Sequence, residues 1–327
     1  MKNLHNLIER KILKKKIINK IEKRVIVSFY KYFFISDIFS FRNNLYKLLV
    51  FFNVLGRVYV SEEGINAQIS IPKEKYLILK KKIQNFDLSL RKIFFNKNQE
   101  NYLVEPFWLL VVKIKKKIVS DGISNKYLNI IKYRGLYLNS EKFNKMYLIN
   151  KKKNNAVFLD MRNSYEYAIG RFENSINIPE ETFKNQIRNI LNFLEPYKNK
   201  KIVMYCTGGI RCEKATSWIK YHGFKYVYQL KNGIIGYYNE TKKKKIPMYF
   251  KGKNFVFDAR MGEEITNDLF TNCKICKLPS NDYVNCSYES CHLLFIQCFQ
   301  CFDKMNGCCS QICFSKLEKK SKNRSFL

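Results

Sequence analysis

The 327-residue chain carries 60 Lys and Arg against 27 Asp and Glu, a formal charge of +33, with 46% apolar residues. Length and apolar content exclude a wholly disordered chain and predict two or three domains with at least one sizeable core. The charge suits a polyanionic partner such as RNA, although a sequence crowded with Lys, Asn, Ile, Phe and Tyr also carries the imprint of an AT-rich genome, which explains part of the lysine excess by itself. No apolar run reaches the ~18 residues of a membrane span. Leu48–Val60 comes closest and is interrupted by Asn53 and Arg57.

Residues 1–24 are basic and loosely amphipathic through Leu4, Leu7, Ile8 and Ile12, and read as a local helix or an arm. They lack the apolar core and cleavage site of a signal peptide, and Glu9 and Glu22 argue against a transit peptide. A cytoplasmic protein is expected. Residues 25–120 read as an α+β domain. Val25–Tyr30 is β-rich, Asp37–Phe52 has helical spacing, and Val58–Val60 and Ile65–Ile71 suit strands around a Glu63-Gly64 turn. Pro72 opens a helix to about Gln84, and Phe107–Ile114 supplies the last strand. That order predicts a ferredoxin-like sandwich. The basic run Lys113–Lys117 is either a solvated strand end or an RNA-facing edge, and residues 121–138 read as a connector.

Residues 139–245 alternate strands with helices. Ala156–Asp160, Ile176–Pro179, Lys201–Tyr205 and Tyr226–Leu230 suit strands. Tyr165–Ala168 suits a helical turn; Glu181–Leu194 and Glu213–His222 suit helices, the last closed by Gly223. Such alternation predicts an α/β domain, a parallel sheet covered by helices on both faces. Residues 246–315 form a short cysteine-rich segment too small for an ordinary core. Residues 316–327 form a polar, basic tail expected to be disordered.

Eleven cysteines in a cytoplasmic chain point to metal binding or catalysis rather than disulfides. Cys206 follows a buried-strand pattern and opens the loop Cys206-Thr207-Gly208-Gly209-Ile210-Arg211, with a helix expected from Glu213. Two glycines let the backbone curl with its N–H groups inward, the helix N-terminus adds its positive end, and Arg211 adds a fixed cation. All three favour a thiolate, the nucleophilic form of cysteine. A small buried hydrophobe is the bland alternative for Cys206. Cys212, at the helix start, reads as a packing residue, with a resolving or redox role the less favoured reading.

Cys-x4-Arg, together with Asp160-Met161-Arg162 and Tyr165-Glu166, resembles a rhodanese-like domain. The resemblance implies a loop that fits a sulfane sulfur, whereas related phosphatases use a longer loop. It also makes Asp160 and Arg162 candidates for site support. The wider run Tyr205–Ala215 is similar to the signature of the rhodanese-domain tRNA uridine hydroxylases. So are Glu63-Gly64-Ile65-Asn66, Lys113–Val119 and Phe255–Arg260. Asn66-Ala67-Gln68 and Asp258-Ala259-Arg260 depart in detail from that family's pattern. The resemblance implies tRNA as partner, molecular oxygen as co-substrate, and hydroxylation of the wobble uridine to 5-hydroxyuridine with Cys206 as the catalytic cysteine. Addition of the thiolate to C6 of uracil and a Cys206 persulfide handling oxygen are two routes to that product. No organic cofactor is identifiable. A sulfurtransferase carrying sulfane sulfur on Cys206 is the alternative enzyme, and an RNA- or protein-binding module with a residual fold is the non-enzymatic one.

The cysteine-rich segment presents Cys273, Cys276, Cys286, Cys291, Cys298, Cys301, Cys308, Cys309 and Cys313, with His292 beside Cys291. Two Cys-x2-Cys knuckles, each followed by a further pair, have zinc-ribbon-like spacing. Eight of these nine thiols would complete two four-thiolate sites, with His292 able to replace one ligand. Structural zinc is the favoured occupant; an iron–sulfur cluster or reduced, unliganded cysteines are the alternatives.

Overall fold

The computed structural model describes residues 22–98, 105–123 and 128–324. Most of the expected N-terminal arm lies outside the described residues. The chain divides into two compact units, one formed by residues up to 163 with 174–248 and 258–260, the other by 164–173, 249–257 and 261 onward.

The first unit opens with β1 (Arg24–Tyr32), α1 (Ile38–Phe51), β2 (Leu55–Ser61), β3 (Gly64–Pro72), α2 (Tyr76–Gln84), β4 (Asn96–Lys97) and β5 (Leu110–Ile114). Asp37 caps α1 by accepting from the Ser40 amide. The strands order as β4-β1-β3-β2-β5. The antiparallel β4-β1-β3-β2 part is the ferredoxin-like sandwich expected. The fourth strand, however, is the two-residue β4, too short to leave a periodic signal. The apolar strand expected to close the sandwich is instead β5, which runs parallel to β2 on the opposite edge. Alternate residues of the long strands (Val25, Val27 and Phe29; Ala67, Ile69 and Ile71) pack with Leu45, Leu49, Leu79 and Ile83 of the helices into one core.

The chain continues through α3 (Ile130–Tyr133), β6 (Leu136–Leu138), α4 (Ser140–Lys153) and β7 (Ala156–Asp160). It then passes α5 (Ser164–Ala168) and β8 (Gly170–Phe172), which belong to the second unit. It returns through β9 (Ile176–Asn177), α6 (Phe183–Leu194), β10 (Lys201–Tyr205), α7 (Ile210–Tyr221), β11 (Val227–Leu230) and α8 (Gly233–Lys244). The sheet is parallel throughout, in the order β6-β11-β10-β7-β9. Two boundaries differ from the sequence reading. Leu136–Leu138, placed in the connector, is the edge strand of this sheet. Residues 164–173, placed in the α/β domain, join the second unit because β8 pairs with β12 (Phe250–Asn254).

The second unit adds β13 (Glu263–Glu264), the hairpin β14 (Tyr283–Asn285) and β15 (Leu294–Ile296), α9 (Phe299–Lys304) and α10 (Gln311–Arg324). Its cysteine-rich core is small, built on Phe295 and the thiols of Cys286, Cys308, Cys309 and Cys313. The tail expected to be disordered from residue 316 is helical to Arg324. Ser310 caps the helix by accepting from the Cys313 amide at 3.3 Å, and Cys313, Phe314 and Leu317 place one face of α10 against the cysteine-lined core.

Candidate functional site

Cys206 stands where β10 ends. Tyr205 pairs across β10–β7 with Asp160, and functional loops of open parallel sheets cluster at these carboxyl ends. The helix after the loop begins at Ile210, three residues earlier than its polar composition suggested. Gly209 caps it with φ +102°, and a Cβ there would stand 2.7 Å from the Tyr30 hydroxyl. Arg211 and Cys212 therefore lie in the first turn of α7, and its free amides face the thiol. Gly209 N–H donates to Cys206 Sγ at 3.1 Å. The backbone N–H and thiol of Cys212 donate to the same sulfur.

The loop is turned inside-out by a second helix. Ile234 N–H donates to the Cys206 carbonyl at 2.9 Å and Ile235 N–H to the Thr207 carbonyl at 3.1 Å. Those carbonyls are thus held on the α8 side, which leaves the amides to the sulfur. The approach requires Gly233, at φ +64°, where a Cβ would lie 2.5 Å from the Cys206 carbonyl oxygen.

Cys206 is fully buried. Burial alone would raise its pKa, but the Cys212 thiol, the Arg211 cation and the amides of Cys212 and Gly209 outweigh it and bring Cys206 from 9.0 to about 6. Burial, then the hydrogen bond and charge of Cys206, push Cys212 well up, so the pair consists of a thiolate and a thiol at neutral pH. Cys212 packs in the core as the sequence suggested, and it is also a hydrogen-bond partner of the Cys206 sulfur. Arg211 also donates to Thr207 Oγ1 at 3.2 Å.

Asp160 and Arg162 are wholly buried and form a closed clamp. Arg162 donates from its amide and Nε to Oδ1 at 2.9 and 3.0 Å and from Nη2 to Oδ2 at 2.7 Å. Gln186 and Asn177 hold the Arg162 carbonyl at 2.7 and 2.8 Å. The clamp fixes the end of β7 beside Tyr205, so both residues shape the strand ends around the loop. Asp258 and Arg260 form the same device, with Nε–Oδ1 2.8 Å and Nη2–Oδ2 2.6 Å. Ala259 between them takes no part, which explains why the departure there is tolerated.

The N-terminal sandwich covers the loop with side chains the sequence had not singled out. Tyr30 donates to Glu213 Oε1 at 3.1 Å, and Tyr32 to the Ile210 carbonyl at 3.3 Å. Tyr137 also donates to Glu213. Burial first, then nearby carboxylates, push both Tyr30 and Tyr32 well up, so they remain donors. Lys214 lies between Glu63 Oε2 and Asp121 Oδ2, each at 2.5 Å. Glu63 Oε1 accepts from the Ile118 amide, and Asn66 donates to the Ile118 carbonyl. The motifs Glu63–Asn66, Lys113–Val119 and Tyr205–Ala215, far apart in sequence, therefore converge on one contact. Asn96 Nδ2 donates to the Gly208 and Asn232 carbonyls at 3.4 and 3.2 Å, while its Oδ1 and Ser28 Oγ are buried without a partner. Both residues lie closest to the open side of Gly208. Ser28 Oγ lies 4.0 Å from where a Gly208 Cβ would stand, and Asn96 Oδ1 3.4 Å from where a Gly236 Cβ would stand; such unmet polar atoms suit the polar edge of a ligand.

In the second unit, Cys273, Cys276, Cys298 and Cys301 form one set and Cys286, Cys291, Cys309 and Cys313 another, with all sulfurs of a set within 4.8 Å of one another. The sets interleave along the chain, and the two Cys-x2-Cys knuckles meet in the first. Cys308, a candidate from sequence, lies outside both, and exposed His292 supplies no ligand to either. A tetrahedron with metal–sulfur bonds of ~2.3 Å has edges of about 3.8 Å. Cys276–Cys298, Cys291–Cys309 and Cys309–Cys313 are 3.7, 3.6 and 3.7 Å apart. Either set can therefore hold a metal ion such as zinc. Backbone amides of Cys276, Cys298 and Ile275 overcome burial to lower Cys273 to about 6, as suits a metal-binding thiolate.

Family models match three segments, and the second of them keeps residues 164–173 with the α/β domain, as the sequence reading did, although their contacts join them to the second unit. An UPF0176 acylphosphatase like domain matches residues 24–118, a rhodanese-like domain 145–240, and a rhodanase C-terminal segment 251–314. A tRNA uridine(34) hydroxylase of Buchnera aphidicola subsp. Schizaphis graminum is 51% identical over 97% of this chain and 100% of its own. One from Buchnera aphidicola subsp. Acyrthosiphon pisum (strain APS) is 52% identical over 97% of this chain and 95% of its own. One from Erwinia tasmaniensis is 44% identical over 96% and 88% respectively.

Proposed function

Because the chain belongs to the tRNA uridine(34) hydroxylase family, we propose that it converts the wobble uridine of tRNA to 5-hydroxyuridine with Cys206 as the reacting thiol. The observation that carries this reading is the buried Cys206 sulfur, held as a thiolate by Arg211, Cys212 and inward-facing amides. Dioxygen is the co-substrate, which makes the enzyme a monooxygenase-type oxidoreductase: one oxygen atom replaces the C5 hydrogen as hydroxyl, and the other leaves as water with two electrons. Thr207, Gly208, Gly209 and Ile210 shape the loop, and Asp160 and Arg162 brace it. Asn96 Oδ1 is an acceptor suited to the N3–H of uracil, and Ser28 a donor suited to a uracil carbonyl.

Exposed Lys113, Lys115 and Lys116 at the end of β5 supply phosphate contacts in a chain of charge +33. No helix among the described residues is long and apolar enough to cross a membrane, and the reading places the enzyme with tRNA in the cytoplasm. The two four-cysteine sets hold structural zinc, which supplies folding energy to a unit with little apolar core. Metal analysis of anaerobically purified protein is expected to give about two zinc ions per chain; iron with labile sulfide would overturn that assignment.

The function is tested by nucleoside mass spectrometry of tRNA from a deletion strain carrying the wild-type or Cys206→Ser gene. Wild type is expected to restore 5-hydroxyuridine and its derivatives, and Cys206→Ser to leave them missing. Product retained in Cys206→Ser would refute a chemical role for the thiol. Deletion that leaves the nucleosides unchanged but removes thiosulfate:acceptor activity would assign the protein to sulfur transfer instead.

A further inference from the structure

We propose that Cys206 and Cys212 together donate the two electrons of the hydroxylation, closing to a disulfide in each turnover. The inference rests on the hydroxylase reading and adds to it the source of the reducing equivalents. Both sulfurs are fully buried in the same core. The loop curls until the thiol of Cys212, third residue of α7, donates to Cys206 Sγ alongside two backbone amides. A hydrogen bond between the sulfurs already sets them in the order that disulfide formation needs, with one thiolate and one thiol in contact. The remaining nine cysteines all lie at or beyond residue 273, and eight of those form the two four-cysteine sets.

The chemistry balances with dioxygen as the only oxidant. The C5–H bond of uracil is replaced by C5–OH, which takes up one oxygen atom. The second atom is transferred to Cys206, which becomes a sulfenic acid as the O–O bond breaks. The Cys212 sulfur then attacks Cys206, the S–S bond forms, and hydroxide leaves and is protonated to water. Two electrons come from the two sulfurs, one proton from the Cys212 thiol and one from solvent. An external dithiol returns the pair to its reduced form by exchange after product leaves.

Trypsin makes the test direct, because Arg211 lies between the two cysteines. Enzyme reduced under nitrogen and freed of reductant is mixed with unmodified tRNA transcript, and air is then admitted. The expected result is no more than one 5-hydroxyuridine per chain, with an equal amount of the peptide Ile202–Arg211 joined by a disulfide to Cys212–Lys214 in a non-reducing digest. Added dithiothreitol is expected to restore multiple turnover. Cys212→Ser, which keeps a hydrogen-bond donor near the sulfur, is expected to lose the joined peptide and to stop after at most one product per chain with Cys206 held as a sulfenic acid, captured by dimedone. Product made while both thiols stay free, repeated turnover without reductant, or product from Cys212→Ser with Cys206 left as an unoxidised thiol overturns the electron-donor role alone. No product from wild-type enzyme even with dithiothreitol defeats the hydroxylase reading beneath it.

Discussion

Replacing Arg211 with Met should move the acid limb of the reaction without removing the thiol. Cys206 lies at about 6 against an ordinary 9.0, a preference for the thiolate of about 4 kcal/mol at ~1.4 kcal/mol per unit. Burial opposes that preference, so the groups that favour the charge supply more than the net. For a cation beside a thiolate at an effective dielectric of about 20, Coulomb's law gives on the order of 3 kcal/mol. Rearrangement of the remaining donors and entry of water into the vacated space reduce this, which leaves a rise of roughly one to two units when Arg211 is lost. Only the thiolate reacts, so activity should fall as pH drops through about 6 in the wild type and through roughly 7 to 8 in Arg211→Met. The variant is then about tenfold slower near pH 6.5 and close to wild type near pH 9. Arg211→Lys keeps the charge and should shift the limb far less. The assay is single-turnover hydroxylation of tRNA across the pH range. An unmoved limb, or a loss of equal size at every pH, would show that Arg211 does not tune the thiol.

Three further outcomes follow from the same geometry. Gly233→Ala forces a Cβ to 2.5 Å from the Cys206 carbonyl oxygen at φ +64°; urea unfolding should show a loss of about 3 kcal/mol or more, and a loss under 1 kcal/mol would mean that α8 can withdraw from the loop. Lys214→Met leaves the buried carboxylates of Glu63 and Asp121 without their shared cation, and chemical denaturation should show about 3–5 kcal/mol lost; near-wild-type stability would contradict this ion triad as a fixed feature. Because the folded pKa of Cys206 is depressed, its ionisation contributes stability above pH 9 that fades as pH falls through about 6. The stability gap between wild type and Cys206→Ser should therefore widen from pH 6 to pH 9 by up to about 4 kcal/mol, and a constant gap would exclude a strongly depressed thiol.

The elements legible from sequence were those with long periodic runs. β1, β3 and α1 show regular alternation or helical spacing, and β10 runs as an unbroken apolar stretch into Cys206. What escaped was short or held by distant partners. β4 is two residues long and carries Asn96, whose role depends on Gly208 and Asn232. The start of α7 was placed late because Ile210 and Arg211 read as loop; only the amide geometry around the sulfur shows them as first-turn residues. The interleaving of the two cysteine sets was closed to spacing alone, since Cys273–Cys276 can pair with any later knuckle until the β14–β15 hairpin brings Cys298–Cys301 back to it. Glu213 and Lys214 stood inside the quoted signature, yet nothing local reveals that their partners are Tyr30, Tyr137, Glu63 and Asp121.

This separation between local and distant contacts divides the work of the site. Every group that lowers the Cys206 pKa comes from within residues 206–212, and the carbonyls are turned away by the first residues of α8. The main influences that lower the Cys206 pKa therefore lie within the α/β domain. The groups beside the open face of Gly208 come instead from β1 and β4 of the N-terminal sandwich, and they include Ser28 Oγ, a buried polar atom without a hydrogen-bond partner. They touch the outside of the loop, and Tyr30 and Tyr32 are themselves held neutral by burial and neighbouring negative charge, that of Cys206 included. A six-residue loop of this kind can serve sulfur transfer or hydroxylation equally well. If the sandwich, tied down through Glu63, Lys214 and Asp121, selects the substrate, substitutions at Ser28 or Asn96 should change what is bound while leaving the acid limb of Cys206 in place.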